Sequence, residues 1–425
     1  MIKKFLAVMI FLLSLTNCAA ASSELEETEI RMICAICSMG AYSDEDSHLM
    51  NSMVTERGWK IETLSHKNNR ANAKAYLVSK GDIKILTIAG TESWKDVEVD
   101  LRVGRVRLNE DDSAADKEKI TNDEIFLHRG FRDYTDVVFG DGLTERLINS
   151  LEENPYETLY ITGHSLGGAV ATIAAIRLTD AGIPKDRLKV ITFAAPAVGS
   201  QALANAYEDK IDLTRILMKG DVIKKSLQKL GYVQFGKVLE YQQSAEGKHF
   251  EHLMSLYLDC AIRDYLNAGG NFRHDAQNKI DAPIYVAPVL IVKGGFKDPD
   301  TDPVWNTLDD GLTNHFRNLT FADELSREIS DKNLLDNDFN EFVSAAKENG
   351  CKYVLVRVLS AKKIRNVLSG GRHVTLEETV LDADDGFVLF MQTSGASTNK
   401  LTMLEAVLSA QENLNEDLRN FFRNK

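Results

Sequence analysis

Gly163-His164-Ser165-Leu166-Gly167-Gly168 places one hydroxyl among glycines, between Leu159, Tyr160 and Ile161 on one side and an apolar run from Ala169 to Leu178 on the other. The first flank reads as a short buried strand and the second as a buried helix. A polar loop of ordinary chemistry needs no such glycine spacing. The chemistry on offer is nucleophilic attack. A chain that reverses sharply here forces the serine into a sparsely allowed backbone conformation, at a cost of about 1–3 kcal/mol. Glycines two residues away on either side remove the side chains that would collide with the turn. The Ser165 hydroxyl then projects above the sheet. It faces the start of a helix at Leu166, whose free N–H groups and dipole favour developing negative charge.

A serine alone is a weak nucleophile and needs a base, itself oriented by an acid. With G-x-S-x-G as nucleophile, these partners follow in the chain order serine, acid, histidine. Arg215 to Met218 is a short apolar strand that runs into Lys219-Gly220-Asp221. An aspartate just past a strand's C-terminal end sits where open α/β sheets place their sites. Asp212 competes for the role but precedes that strand. Glu251-His252-Leu253-Met254 opens an apolar helix running to Leu266, and His252 is the candidate base. His249 in the same loop is ranked below it. His164 adjoins the serine too closely to serve as base, and its expected role is to fill space under the turn. His128 lies upstream.

Acyl transfer also requires donors for an oxyanion, each worth about 2.7–4 kcal/mol by deletion. The backbone N–H of Leu166 is one candidate. The second is expected in the loop after an earlier strand, Lys84 to Ala89, where Gly90 permits close approach and Thr91 offers an N–H and a hydroxyl.

At 425 residues the chain has room for two or three domains. A formal net charge of -13 argues against a sequence-independent grip on nucleic acid and against general attraction to anionic membranes. Lys3 and Lys4, the apolar run Phe5 to Leu15 and Ala19 to Ala21 have the three parts of a secretory signal, assigned to residues 1–21. Cleavage after Ala21 gives a soluble exported protein; Leu15-Thr16-Asn17-Cys18 offers the alternative of a lipid-modified Cys18, for which Asn17 is a poor fit. Cys34 and Cys37 lie at helical spacing with Ile30, Ile33 and Ala41, so buried structural cysteines are expected, with a strained disulfide as the alternative. No second C-x-x-C or His pair completes a zinc site.

Residues 22–278 hold the glycine-bearing motifs. A polar linker is expected over Asn267 to Asn271 and Asp275 to Lys279, followed by an α+β domain at 279–425. Its expected elements are a strand Ile284–Val292 interrupted by Pro288, a helix around Leu312–Ile329, a helix Phe339–Glu348 stopped by Asn349-Gly350 and a strand Lys352–Leu359. A hairpin of Val374–Leu381 and Phe387–Thr393 and an amphipathic helix Leu401–Phe422 complete it. The acidic stretch NEDDSAADKEKITNDE reads as solvated surface.

With these pieces placed, the region from about Ile33 to Leu266 resembles the class 3 lipases. TIAGTESWKDVEVDL, LHRGF, YITGHSLGGAVATIAA, ITFAAPAVGS, MKGDVIKKSL and HLMSLY match that family's motifs in order. The resemblance implies an α/β-hydrolase fold with a central, mostly parallel sheet. It implies Ser165, Asp221 and His252 as catalytic triad, Thr91 and Leu166 as oxyanion donors, a structural role for His128, a lipid or related ester as substrate, and no metal or organic cofactor. Ala89, Val97 and Ile223-Lys224 depart from the arginine, tryptophan and Val-Pro usual at those positions. Lys219, Lys224, Lys225, Lys229 and Lys237 form a basic run, read as a solvated face, or as a headgroup dock in a phospholipase A-type enzyme. From a different class comes the reading of an envelope-assembly or binding protein using the hydrolase fold as scaffold.

The segment Glu92 to Val99 corresponds to the family's lid, and it is acidic and poor in apolar residues. A lid that opens on an oil surface needs a broad apolar face. Hydrolysis of a medium-chain ester is therefore expected to rise smoothly through the critical micelle concentration; a large jump there would refute the expectation.

Overall fold

The computed structural model describes residues 23–42, 54–67, 72–90, 104–108, 120–140, 142–225, 227–242, 251–274, 278–293, 302–330, 339–364, 372–397 and 403–425. The expected signal, Cys18, Thr91, the lid segment and His249 lie outside these residues. The described residues form two compact units. One comprises Ile30–Gln243 with Phe250–Ala261; the other centres on Ile262–Lys425.

In the first unit, a helix α1 (23–40) precedes β1 (Lys60–Lys67), β2 (Asn72–Lys80) and β3 (Ile83–Ile88). A small ribbon follows, β4 (Arg105–Arg107) with β5 (Phe126–His128), then α2 (Arg129–Val138) and α3 (Leu143–Glu153). The remaining elements are β6 (Thr158–His164), α4 (Leu166–Asp180), β7 (Leu188–Phe193), α5 (Gln201–Tyr207), β8 (Asp212–Met218), β9 (Lys237–Tyr241) and α6 (Met254–Asn267). The seven-stranded sheet runs in the order β1-β2-β3-β6-β7-β8-β9. Its first three strands are antiparallel, and β3, β6, β7, β8 and β9 are mutually parallel. This is the mostly parallel α/β sheet expected. Parallel strands need both faces covered, and β6 accordingly is buried at Leu159 and along Ile161 to His164.

The helix α4 is apolar all round, so it must be enclosed. Its small residues let it lie close to the sheet. A Cβ on Gly168 would come within 2.8 Å of Ala195 Cβ, and one on Gly167 within 2.2 Å of the Ile88 carbonyl oxygen. The core that results includes Leu86, Ile88, Phe131, Leu147, Ile161, Ile173, Ile176, Leu188 and Val190.

The second unit contains β10 (Ile280–Val286), β11 (Val289–Val292), α7 (Asp302–His315), β12 (Phe316–Phe321), β13 (Ser326–Ile329), α8 (Asn340–Glu348), β14 (Tyr353–Lys363), β15 (Arg372–Asp382), β16 (Val388–Ser397) and α9 (Met403–Arg423). Pro288, which has no N–H to give a ladder, separates β10 from β11; both pair with β14 in parallel. The expected hairpin is β15–β16, and Gly350 with φ 69° closes α8 as expected.

Two expectations fail here. The helix placed over Leu312–Ile329 ends at His315, and the rest forms β12 and β13, paired in parallel with β10 and β11. Phe316, Leu319, Thr320 and Phe321 favour strand, and ladder pairing to an apolar neighbour outweighs the apolar spacing that had suggested helix. The stretch from Asn267 to His274 is not a free linker. Phe272 N–H donates to Asp310, His274 N–H to Asn314, and Asn314 Nδ2 donates back to the Phe272 carbonyl.

Gly163 tests the packing of the first unit. A Cβ there would meet the Gly167 carbonyl carbon at 2.5 Å and the Ile88 oxygen at 2.8 Å, all backbone that cannot rotate away. Gly163→Ala is expected to lower unfolding free energy by about 1–3 kcal/mol in a denaturant titration. An unchanged midpoint would show that the strand-helix junction is looser than described.

Candidate active site

β6 ends at His164 and α4 begins at Leu166, so Ser165 makes the whole turn by itself. Its backbone has φ 54° and ψ −121°, a conformation costly for any residue with a Cβ. The Ser165 N–H donates to the Phe193 carbonyl and its own carbonyl accepts from Ala169 N–H, which hold the strained residue from both sides. The N–H of Leu166, in the first turn of α4, has no acceptor within the helix.

One further strand end and the turn before a helix converge on the hydroxyl. Past β8, the chain turns at Gly220 (φ 99°) and delivers Asp221. Just before α6, a turn presents His252. His252 Nε2 lies 2.9 Å from Ser165 Oγ, and His252 Nδ1 lies 2.9 Å from Asp221 Oδ2. A carboxylate only accepts, so Nδ1 carries the proton. That leaves Nε2 of the neutral ring as acceptor for the Ser165 O–H. Ser165, Asp221 and His252 are all buried, with Asp221 only 2% exposed.

A buried carboxylate requires donors. Besides His252, Asp221 Oδ2 accepts from Tyr257 Oη at 2.8 Å, and Oδ1 accepts from Ile223 N–H at 2.9 Å. Tyr257, one turn into α6, also accepts from Met218 N–H at 2.9 Å. It therefore ties the end of β8 to the acid that follows it. Burial and the adjacent carboxylate push the Tyr257 hydroxyl far above the usual phenol range, so it remains a donor.

Sequence reasoning gave His164 no more than a space-filling role, and it does more. Its Nε2 lies 2.9 Å from the His252 carbonyl oxygen, which fixes Nε2 as the donor, and its Nδ1 accepts from Tyr42 Oη at 2.5 Å. Burial first, and then the neighbouring His252, hold its pKa well below the ordinary histidine value, consistent with the neutral ring this pattern requires. Tyr42 follows α1 and had no motif to mark it. Gly90 makes room for it, since a Cβ there would come within 2.4 Å of the Tyr42 hydroxyl and 2.7 Å of the His164 carbonyl oxygen.

His128 lies elsewhere, buried as the N-cap of α2. It accepts from Phe131 N–H and stacks on the Phe131 ring at 4.1 Å. Asp212, the competing acid, opens β8 and stands 3.7 Å from Lys237. Among the described residues Cys34, Cys37, Cys260 and Cys351 are buried thiols, none of them in a disulfide. Burial raises the Cys37 thiol to about 12 and Cys34 further. A groove of about 770 Å³ is lined by residues such as Lys60, Glu62, Leu77 and Arg146 and touches none of the three site residues. Among the described residues no cluster of His, Cys, Asp and Glu is arranged to hold a metal, and no helix is long and apolar enough to cross a membrane.

A serine on a strand-to-helix turn of a mostly parallel sheet, with an aspartate and a histidine from later loops, defines the α/β-hydrolase class. Residues 85–229 match the family model described as lipase (class 3). Over 67 residues it is 39% identical to lipase ZK262.3 of Caenorhabditis elegans, covering 15% of this chain and 19% of that protein. Over 94 residues it is 36% identical to the secreted mono- and diacylglycerol lipase A of Penicillium camembertii, covering 22% and 30%. The chain thus spans less than a third of either relative. Among solved structures, the Rhizomucor miehei lipase propeptide complex aligns with a TM-score of 0.42 at 20% identity, over 52% of this chain and 69% of that one.

Burial holds the His128 pKa down from 6.5 to about 4. Between those values the unfolded chain takes up a proton that the folded chain refuses. Its contribution to stability is full above about 6.5 and is lost as the pH falls toward 4. His128→Asn is expected to flatten the acid limb of a stability-against-pH profile across that window, by on the order of a few kcal/mol. An unaltered slope would show that this ring is not the group responsible.

Proposed function

We propose that the chain is an exported serine carboxylic-ester hydrolase of lipase type, cleaving acylglycerols or related lipid esters through an acyl-enzyme. The observation that carries this reading is the continuous row Ser165 Oγ, His252 Nε2, His252 Nδ1, Asp221 Oδ2, with 2.9 Å at each step between residues. The match of residues 85–229 to the class 3 lipase model, and a similar protein described as a mono- and diacylglycerol lipase, support the substrate class. The domain assignment proposed with it is a signal at 1–21, the hydrolase domain at 22–278 and an accessory domain at 279–425.

In this mechanism the ester carbonyl approaches Ser165. As Oγ attacks, its proton passes to His252 Nε2. Asp221 holds the ring's Nδ1–H and stabilises the imidazolium. The carbonyl oxygen becomes an anion and takes the N–H of Leu166, together with a donor proposed from Thr91. His252 returns the proton to the leaving alcohol. Water repeats the sequence on the acyl-enzyme and releases the acid. The buried row of hydrogen bonds is assembled before substrate arrives, so little reorganisation is left to the chemical step.

A fluorophosphonate probe is expected to label the wild type and fail to label Ser165→Ala. Ester turnover should fall by about a million-fold in that variant, as for removal of a nucleophile that acts in a unit. Absence of labelling in folded wild type would support the scaffold reading instead.

A further inference from the structure

The sheet of the second unit ends on one side at β12 and β13 and on the other at β16. Among the described residues β16 pairs with β15 alone, so its outer row of N–H and C=O groups meets no strand. Natural sheets blunt such edges with short strands, with proline or with charge. The other outer strands of the two large sheets follow that rule. β1 carries Lys60, Glu62 and Lys67, β9 carries Lys237 and Glu240, β12 carries Arg317, and β13 carries Arg327 and Glu328. β16, with the sequence VLFMQTSGAS, carries neither charge nor proline. At 10 residues it is also longer than any of those four.

One face of β16 is covered by α9. Phe390 stacks on Phe421 at 4.9 Å, Gln392 Nε2 donates to the Leu414 carbonyl, and Asn413 Nδ2 donates to Ser394 Oγ. The opposite face is open: Met391 is 54% exposed, and Thr393, Gly395 and Ser397 follow it as exposed residues. Phe387 and Val388, where the hairpin enters the strand, are 71% and 55% exposed. Large apolar side chains gathered in this way mark a contact surface more than singly scattered ones do.

We propose that β16 pairs antiparallel with the β16 of a second copy of this chain, joining the two sheets edge to edge across a twofold axis. The unmet groups are those of a strand's backbone, which another extended backbone satisfies along its whole length. A strand paired antiparallel with its own copy sets like residues against each other at the axis, where charges of one sign repel. Of the outer strands compared, β16 is the one with no such charge. The chain carries a formal net charge of -13, so two copies approach with least repulsion where charge is absent. The same neutrality gives β16 nothing with which to steer a charged foreign peptide. Each copy brings one such edge and the pairing consumes it, so the assembly closes at two chains. This role is separate from ester cleavage.

The test is sedimentation equilibrium of the full chain from about 1 to about 100 μM. Wild type is expected to pass from one chain to two across that range, with no larger species. Met391→Lys combined with Thr393→Lys alters two exposed side chains and sets lysines against lysines, so the dissociation constant should rise about tenfold or more. The matching pair of glutamate substitutions should weaken association alike, and an equal mixture of the two variants should recover the dimer. Leu325→Lys, exposed on the far side of the same sheet, should associate as wild type does. A wild type that stays single at about 100 μM, or that assembles without limit, would overturn the proposal. So would an unweakened lysine variant, which places the contact elsewhere, or a mixture that fails to recombine, which removes the second β16 as occupant. Should the lysine variant fail to fold, amide exchange in wild type decides alone. Exchange along Val388–Ser397 is expected to slow as concentration rises, and exchange independent of concentration would overturn the pairing.

Discussion

The carboxylate of Asp221 is the constraint around which the site is built. It is buried, and a buried negative charge is tolerable only when donors surround it. Three groups meet that demand: the His252 ring, the Tyr257 hydroxyl and the Ile223 amide. Each comes from a different local structure, so satisfying one charge fixes the end of β8, the start of α6 and the turn that carries His252. In the proposed mechanism the bond from His252 sets the tautomer that lets Nε2 accept a proton from Ser165, and the other two hold the carboxylate in place for it.

A second brace acts on the backbone rather than on the ring. His164 donates to the His252 carbonyl and is itself held by Tyr42. Neither residue needs to touch substrate for this. Their effect is to keep the turn before α6 at a fixed height over the sheet. The bond from Tyr42 makes the position of the chain after α1 part of the geometry around the nucleophile. Gly90 contributes by lacking a side chain where Tyr42 passes.

Much of this was legible in the sequence, for identifiable reasons. The turn at Ser165 announces itself because only glycines fit at 163, 167 and 168, and such spacing is visible in one line of residues. Asp221 and His252 were legible because each abuts a strongly apolar element whose end could be located. Tyr42 was not, because its partner lies 122 residues away and no local pattern demands it. His164 was misjudged for a related cause: adjacency to the serine ruled out one role, and the bond to His252 depends on folding. In the second unit, β12 and β13 were missed because their identity as strands depends on pairing with β10 and β11, which a reading of single segments cannot supply.

The central claim is that His252 shares its Nδ1 proton with the buried Asp221 carboxylate. Proton NMR of the folded protein reads that proton directly, because an imidazole N–H bonded to a buried carboxylate and shielded from water resonates far downfield of the amide region. The account predicts one such resonance in wild type and its loss in Asp221→Ala with the remaining spectrum still folded. Its absence from wild type, or its survival in Asp221→Ala, would contradict the account.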